Sequence, residues 1–155
     1  MPDRPAVLRD AKSDGESDAE PGSLVNGRVL VIDDEPAMRH TLDRALRFFQ
    51  YEVRTAGDPD SAYALLGDLT FDVVLLDLRL EHTLSDALYI ALVHQWPYLR
   101  GRVILMSGDP YAVSASWPAE LRACPLLAKP FELDALANAV AGILVPLSRE
   151  QGGSA

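Results

Sequence analysis

Residues 28–35 read RVLVIDDE. After Arg28 come Val29, Leu30, Val31 and Ile32, four apolar residues, three of them β-branched, with no polar residue between them. A run of that kind suits a strand buried on both faces, as in a parallel sheet. It then breaks directly into Asp33, Asp34 and Glu35. Two further runs repeat the pattern: Val73-Val74-Leu75-Leu76 ends on Asp77, and Val103-Ile104-Leu105-Met106 ends on Ser107-Gly108-Asp109. Weaker strands are expected at Tyr51 to Thr55, whose alternation suits an edge, and at Pro125 to Ala128, which leads into Lys129-Pro130.

Helical patterns fill the intervals. Met38, Leu42, Ala45, Leu46 and Phe49 share one face at 3.6-residue spacing. A second helix opens at Asp58-Pro59, an N-cap followed by proline at the first helical position. A third is expected from Leu84 to about Gln95. The fourth, around Ala112 to Arg122, is interrupted by Pro118. The fifth spans roughly Glu132 to Val145, with Leu133, Leu136, Val140 and Ile143 inward. Strand and helix alternate five times, which predicts an α/β, doubly wound parallel sheet with helices on both faces.

The chain has 155 residues, 48% of them hydrophobic and 24% charged, enough for one domain with a full core. Residues 1–26, rich in Asp, Glu, Ser, Gly and Pro, are expected to be a disordered acidic tail. Residues 27–147 are expected to form the domain, and 148–155 a flexible C-terminal tail. The formal net charge of −9 opposes nucleic-acid binding, which needs cationic side chains to displace counterions. No apolar run is long enough to span a bilayer and no signal peptide is evident, so a soluble, cytoplasmic protein is expected. The single cysteine, Cys124, reads as a small buried apolar residue. His40, His82 and His94 lack the paired spacing of a zinc site.

Ligands of open α/β sheets bind outside the carboxyl ends of the strands. Here those ends supply Asp33 and Asp34, Asp77, Ser107 and Lys129. Carboxylates so placed repel one another unless a cation joins them. Magnesium, with its preference for oxygen ligands, suits the set better than zinc does. Asp77 would then be a nucleophile toward phosphorus, with Ser107 and Lys129 binding phosphoryl oxygens.

In VIDDEPAMR, VVLLDLRL, VILMSGD and LLAKPF the chain resembles the receiver domains of two-component response regulators, over almost everything from Arg28 to the fifth helix. The resemblance implies a flavodoxin-like strand order 2-1-3-4-5 and a single-domain regulator. It implies that Asp77 accepts phosphate from a histidine kinase or histidine phosphotransfer protein. It implies Mg2+ held by Asp34 and Asp77 directly, by Asp33 mainly through water and by the backbone carbonyl of Arg79. Ser107 would move toward the acyl phosphate, Lys129 would pair with it, and the Lys129-Pro130 peptide would be cis. The side chain of Arg79, and Asp109, would modulate dephosphorylation. The signal would leave through the face of the fourth helix, fifth strand and fifth helix, toward an output protein or a second copy of the chain. The chain departs from the family pattern in three places. Leu126 stands where a Tyr or Phe switch residue is usual, Ser107 replaces the commoner Thr, and Glu81 and Ser85 occupy positions where Pro and Gly are expected. Two other readings compete with this one: a phosphorylation-independent interaction module of the same fold, and a phosphatase of the haloacid-dehalogenase type, which places its nucleophile in a DxD motif after the first strand.

Overall fold

The structure is a computed structural model that describes residues 25–79, 85–109 and 116–153, the side chains of Ser85 and of 145–153 excepted. Five parallel strands, β1 (Arg28–Ile32), β2 (Glu52–Ala56), β3 (Val73–Asp77), β4 (Val103–Ser107) and β5 (Leu126–Ala128), lie in the order β2-β1-β3-β4-β5. Helices α1 (Pro36–Phe48), α2 (Pro59–Asp68), α3 (Ser85–Gln95), α4 (Ala119–Arg122) and α5 (Leu133–Gly153) alternate with them. The doubly wound arrangement and the strand order are those expected.

The unbroken apolar runs have a simple cause. Successive strand residues point to opposite faces, and here both faces are covered. Val29, Val31, Val73, Leu75, Ile104 and Met106 pack with Leu42, Leu46, Leu136 and Val140 of α1 and α5. Leu30, Ile32, Val74, Leu76, Val103 and Leu105 pack with Ala62, Leu66, Leu88 and Leu92 of α2 and α3. Each such fully buried side chain contributes about 1.5–3 kcal/mol of transfer free energy.

Local signals fix the helix ends. Asp58 caps α2, its side chain accepting the Ser61 N–H at 2.7 Å, with Pro59 next in the chain. α1 ends in a left-handed turn: Gln50 has φ 70°, its N–H donates to the Arg47 carbonyl, and the Tyr51 N–H donates to that of Leu46. This is the pairing of a Schellman cap, made with Gln where Gly is usual.

Two expected boundaries need correction. Among the described residues α4 is a single turn that begins only after Pro118, whose extended backbone (ψ 148°) is incompatible with a continuing helix. Residues 110–115, the first part of the expected fourth helix, lie outside the described residues. Tyr89 and Arg100 each donate to one Glu120 carboxylate oxygen at 2.8 Å, and Tyr89 thereby ties this turn to α3. The fifth helix, expected to end near Val145, passes Pro146 and reaches Gly153. The bond that proline cannot give would have gone to the carbonyl of Gly142, an exposed residue whose oxygen water can serve. Arg149, Glu150 and Gln151 are good helix formers beyond it. Residues 1–24, most of the expected acidic tail, lie outside the described residues.

Candidate functional site

The crossover direction reverses between β1 and β3, and the acidic residues follow those two strands. The Asp33 N–H donates to the Ala56 carbonyl at 3.1 Å, carrying the β1–β2 ladder one residue further before the chain turns. The Asp33 side chain is fully buried. Its Oδ1 accepts the Glu35 N–H at 2.9 Å and its Oδ2 accepts from Lys129 Nζ at 3.0 Å. Asp77 ends β3 at 4% exposure; its Oδ1 accepts the Arg79 N–H at 3.0 Å, and its Oδ2 lies 3.4 Å from Lys129 Nζ. Lys129 arrives from β5, where its own N–H donates to the Ser107 carbonyl at 2.6 Å. The Lys129-Pro130 peptide bond is cis.

Asp33, Asp34 and Asp77 each offer one carboxylate oxygen, all within 4.8 Å of one another. An octahedral ion with bonds near 2.1 Å sets its oxygens roughly 3 to 4.2 Å apart. The cluster is therefore close to what a small hard dication requires, and it contains neither the imidazole nor the thiolate that would favour zinc.

The electrostatics are those of charges held out of water. Burial pushes the Asp77 carboxyl above its ordinary range and the charge of Asp33 adds to this, while the Arg79 N–H and the Lys129 ammonium oppose it. For Lys129 burial acts downward, but the hydrogen bond to Asp33 and the charges of Asp77 and Asp33 prevail and hold its pKa up. The ammonium thus serves two buried carboxylates at once.

The structure therefore brings Asp33, Asp34, Asp77 and Lys129 together. Ser107, 1% exposed at the end of β4, has its hydroxyl turned into its own loop. The hydroxyl accepts the Asp109 N–H at 2.9 Å and donates to the Asp109 carbonyl at 3.0 Å. Arg79 touches Asp77 through its backbone N–H. Leu126, three residues before Lys129, is exposed on β5 beside Leu105. Glu81 and His82 lie outside the described residues. One contributor has no signal in the sequence: Arg39 Nη1 donates to the Asp33 carbonyl at 2.7 Å and fixes the turn that carries the acidic pair. That guanidinium lies where a Cβ on residue 57 would be, 2.7 Å from it, so Gly57 makes room for it.

A doubly wound sheet with three carboxylates and a lysine at its switch point defines a class of acid-pocket proteins. Within that class, residues 29–141 match the response regulator receiver domain, and the chain belongs to that family. It is 31% identical over 114 residues to the DNA-binding transcriptional regulator NtrC of Azospirillum brasilense, covering 72% of this chain and 23% of that protein. It is 32% identical over 122 residues to the alginate biosynthesis transcriptional regulatory protein AlgB of Pseudomonas aeruginosa, covering 79% of this chain and 27% of that one. The chain thus spans about a quarter of the length of these relatives. Its fold resembles that of the response regulator TrrA of Thermotoga maritima, solved in complex with Mg(2+)-BeF, with a TM-score of 0.64, 24% identity, and coverage of 75% of this chain and 97% of that one.

Proposed function

We propose that this receiver takes a phosphoryl group onto Asp77 from a phosphohistidine protein, either a histidine kinase or a histidine phosphotransfer protein, in the cytoplasm. The observation that carries the reading is Lys129 Nζ, which lies 3.0 Å from Asp33 and 3.4 Å from Asp77, two carboxylates that are almost wholly buried. In the transfer a carboxylate oxygen of Asp77 forms the new O–P bond. The P–N bond of the donor breaks, and its electron pair stays on the imidazole nitrogen. Lys129 neutralises the acyl phosphate formed, and Ser107 exchanges its bonds to Asp109 for a phosphoryl oxygen. Magnesium held by Asp33, Asp34, Asp77 and the Arg79 carbonyl would supply the positive charge that lets an anionic nucleophile approach an anionic phosphoryl group. The three carboxylates, and the magnesium complex of a protein of the same fold, support that assignment. The Arg79 side chain and Asp109 are proposed to influence attack of water on the acyl phosphate.

Output is proposed to pass through protein contacts on the α4–β5–α5 face, where Leu126 and Leu133 are exposed, toward a partner protein or a second copy of the chain. The formal charge of −9 of the whole chain speaks against direct DNA contact. Exposed Leu126 in place of an aromatic residue also favours a second reading, a module that binds its partner whether or not Asp77 is phosphorylated.

Incubation with magnesium and acetyl phosphate should add one phosphoryl group to the wild-type chain and none to Asp77→Asn, read by intact-mass spectrometry. Equal labelling of the two would overturn the assignment of Asp77. Labelling of the wild type without any change in amide exchange on the α4–β5–α5 face would favour the second reading.

A further inference from the structure

Arg39 is in the first turn of α1, and its side chain runs back past the start of the helix to the turn that carries the acidic pair. Its Nη1 donates to the Asp33 carbonyl at 2.7 Å. That carbonyl lies in the same rigid peptide plane as the Asp34 N–H, so a bond to it fixes the direction in which the chain enters Asp34. The Asp33 carboxylate is held by other groups. Its Oδ1 accepts from the Glu35 N–H at 2.9 Å and its Oδ2 from Lys129 Nζ at 3.0 Å. Arg39 therefore acts at the step from Asp33 to Asp34, the least buried of the three clustered carboxylates.

The same guanidinium is wedged against the loop that follows β2. A Cβ on residue 57 would lie 2.7 Å from Nη1, 3.1 Å from Cζ and 3.5 Å from Nη2. The backbone of Gly57 has no positive φ of the kind that favours glycine. Glycine at this position thus answers a need for space, and the group that takes the space is Arg39. Asp58 follows directly. Its carboxyl is held below the ordinary range first by the Ser61 N–H and side chain, and the positive charge of Arg39 adds to this. One side chain of α1 therefore joins the turn after β1 to the loop after β2.

We propose that Arg39 is a positioning residue for the divalent cation, with Gly57 as the space it requires, and that the two together set how tightly Asp33, Asp34 and Asp77 hold the ion. This rests on the magnesium site assigned above and not on phosphoryl transfer. Charge and position act in opposite directions here. A guanidinium beside the cluster repels a dication, so removing it for its charge alone would tighten binding. Removing a group that orients the ligands loosens binding, by about 10- to 100-fold in other metal sites. A loss of affinity on replacing Arg39 therefore reports orientation and not charge.

The test titrates the full chain with Mn2+, which shares the oxygen preference of Mg2+, and counts the free ion by electron paramagnetic resonance. Arg39→Met keeps an unbranched stem but removes donor and charge, and should bind the ion about tenfold or more weakly than wild type. Gly57→Ala keeps the charge and displaces the guanidinium, so it should weaken binding in the same direction. Adding Gly57→Ala to Arg39→Met should cause little further loss, because the two changes break one contact. The Mg2+ concentration for half-maximal labelling by acetyl phosphate should rise in step, with the rate returning close to that of wild type at saturating Mg2+. Unchanged or tighter binding by Arg39→Met, additive losses in the double variant, or a rate in either single variant that stays low at saturating Mg2+ would overturn the assignment. Because the ion is counted directly, the loss in Arg39→Met without further loss in the double variant supports it even in a chain that is never labelled; that result would remove the phosphoryl reading alone. A wild type that binds no Mn2+ overturns both.

Discussion

At the residue scale, Asp77 is costly to the fold that holds it. Burial and the neighbouring charge of Asp33 keep its carboxyl above the ordinary 3.8, so the folded protein holds that proton more tightly than the unfolded chain does. Such a group contributes its full stability below the unfolded pKa, and that contribution is lost as pH rises through the higher folded pKa. In buffer free of divalent cations, Asp77→Asn should therefore melt at a higher temperature than wild type at neutral pH. The gain should shrink toward zero as pH falls to about 3.8 and below. Thermal melts of both proteins across pH check this, and a gain independent of pH would place its origin outside the carboxyl group. The acidic residues and the lysine were legible in the sequence because each sits one step past an apolar run, and strand ends on one edge of a parallel sheet converge. Arg39 was not legible. Its contact with Asp33 depends on how the first turn of α1 folds back over Gly57, which no spacing rule encodes.

At the scale of elements, the end of α1 shows a local rule set aside. Gln50 adopts φ 70° to close the helix, a region that costs a residue with a Cβ about 1–2 kcal/mol. Gln50 is exposed, and its backbone carbonyl, not its side chain, holds Asn26. Gln50→Gly should therefore raise stability by about 1 kcal/mol, less whatever glycine returns to the unfolded chain as entropy. Urea unfolding would show it as a higher midpoint at unchanged slope, and a lowered midpoint would mean that the Gln side chain does more than fill space. The strands were the most readable elements, since only a sheet covered on both faces accepts four consecutive apolar residues. The helices near prolines were the least readable. Pro118 delays α4 until Ala119, whereas Pro146 fails to end α5 because the carbonyl it deprives belongs to exposed Gly142. The same residue type gives opposite outcomes according to what lies around the vacated bond.

For the whole molecule, the proposed function assigns capture and output to different parts of one sheet. Leu126 is 38% exposed at the outer strand, three residues before the Lys129 that reaches the carboxylates. Leu126→Glu should leave labelling of Asp77 by acetyl phosphate unchanged and shift stability by no more than about 0.5 kcal/mol, as for other surface substitutions. Intact-mass labelling together with urea unfolding tests both statements, and a loss of labelling would show that Leu126 takes part in assembling the site. Fold class, strand order and the gathering of four of the polar residues could all be read from the sequence because they follow from alternation and strand-end placement. The setting of the Ser107 hydroxyl could not, because it depends on which of several nearby acceptors a short side chain meets once the loop has closed.

The ammonium that pairs with Asp77 comes one residue after the slightest strand of the sheet. β5 has three residues, of which only Leu127 is buried, and three register pairs join it to β4, against five between β1 and β2. A protein that grips β5 or the start of α5 would thereby pull on the counter-charge of Asp77. Because coupling free energies are reciprocal, such a partner must alter the hold on phosphate by the same factor by which phosphate alters the hold on the partner. The listener in this circuit would also bias how much of the chain carries the message.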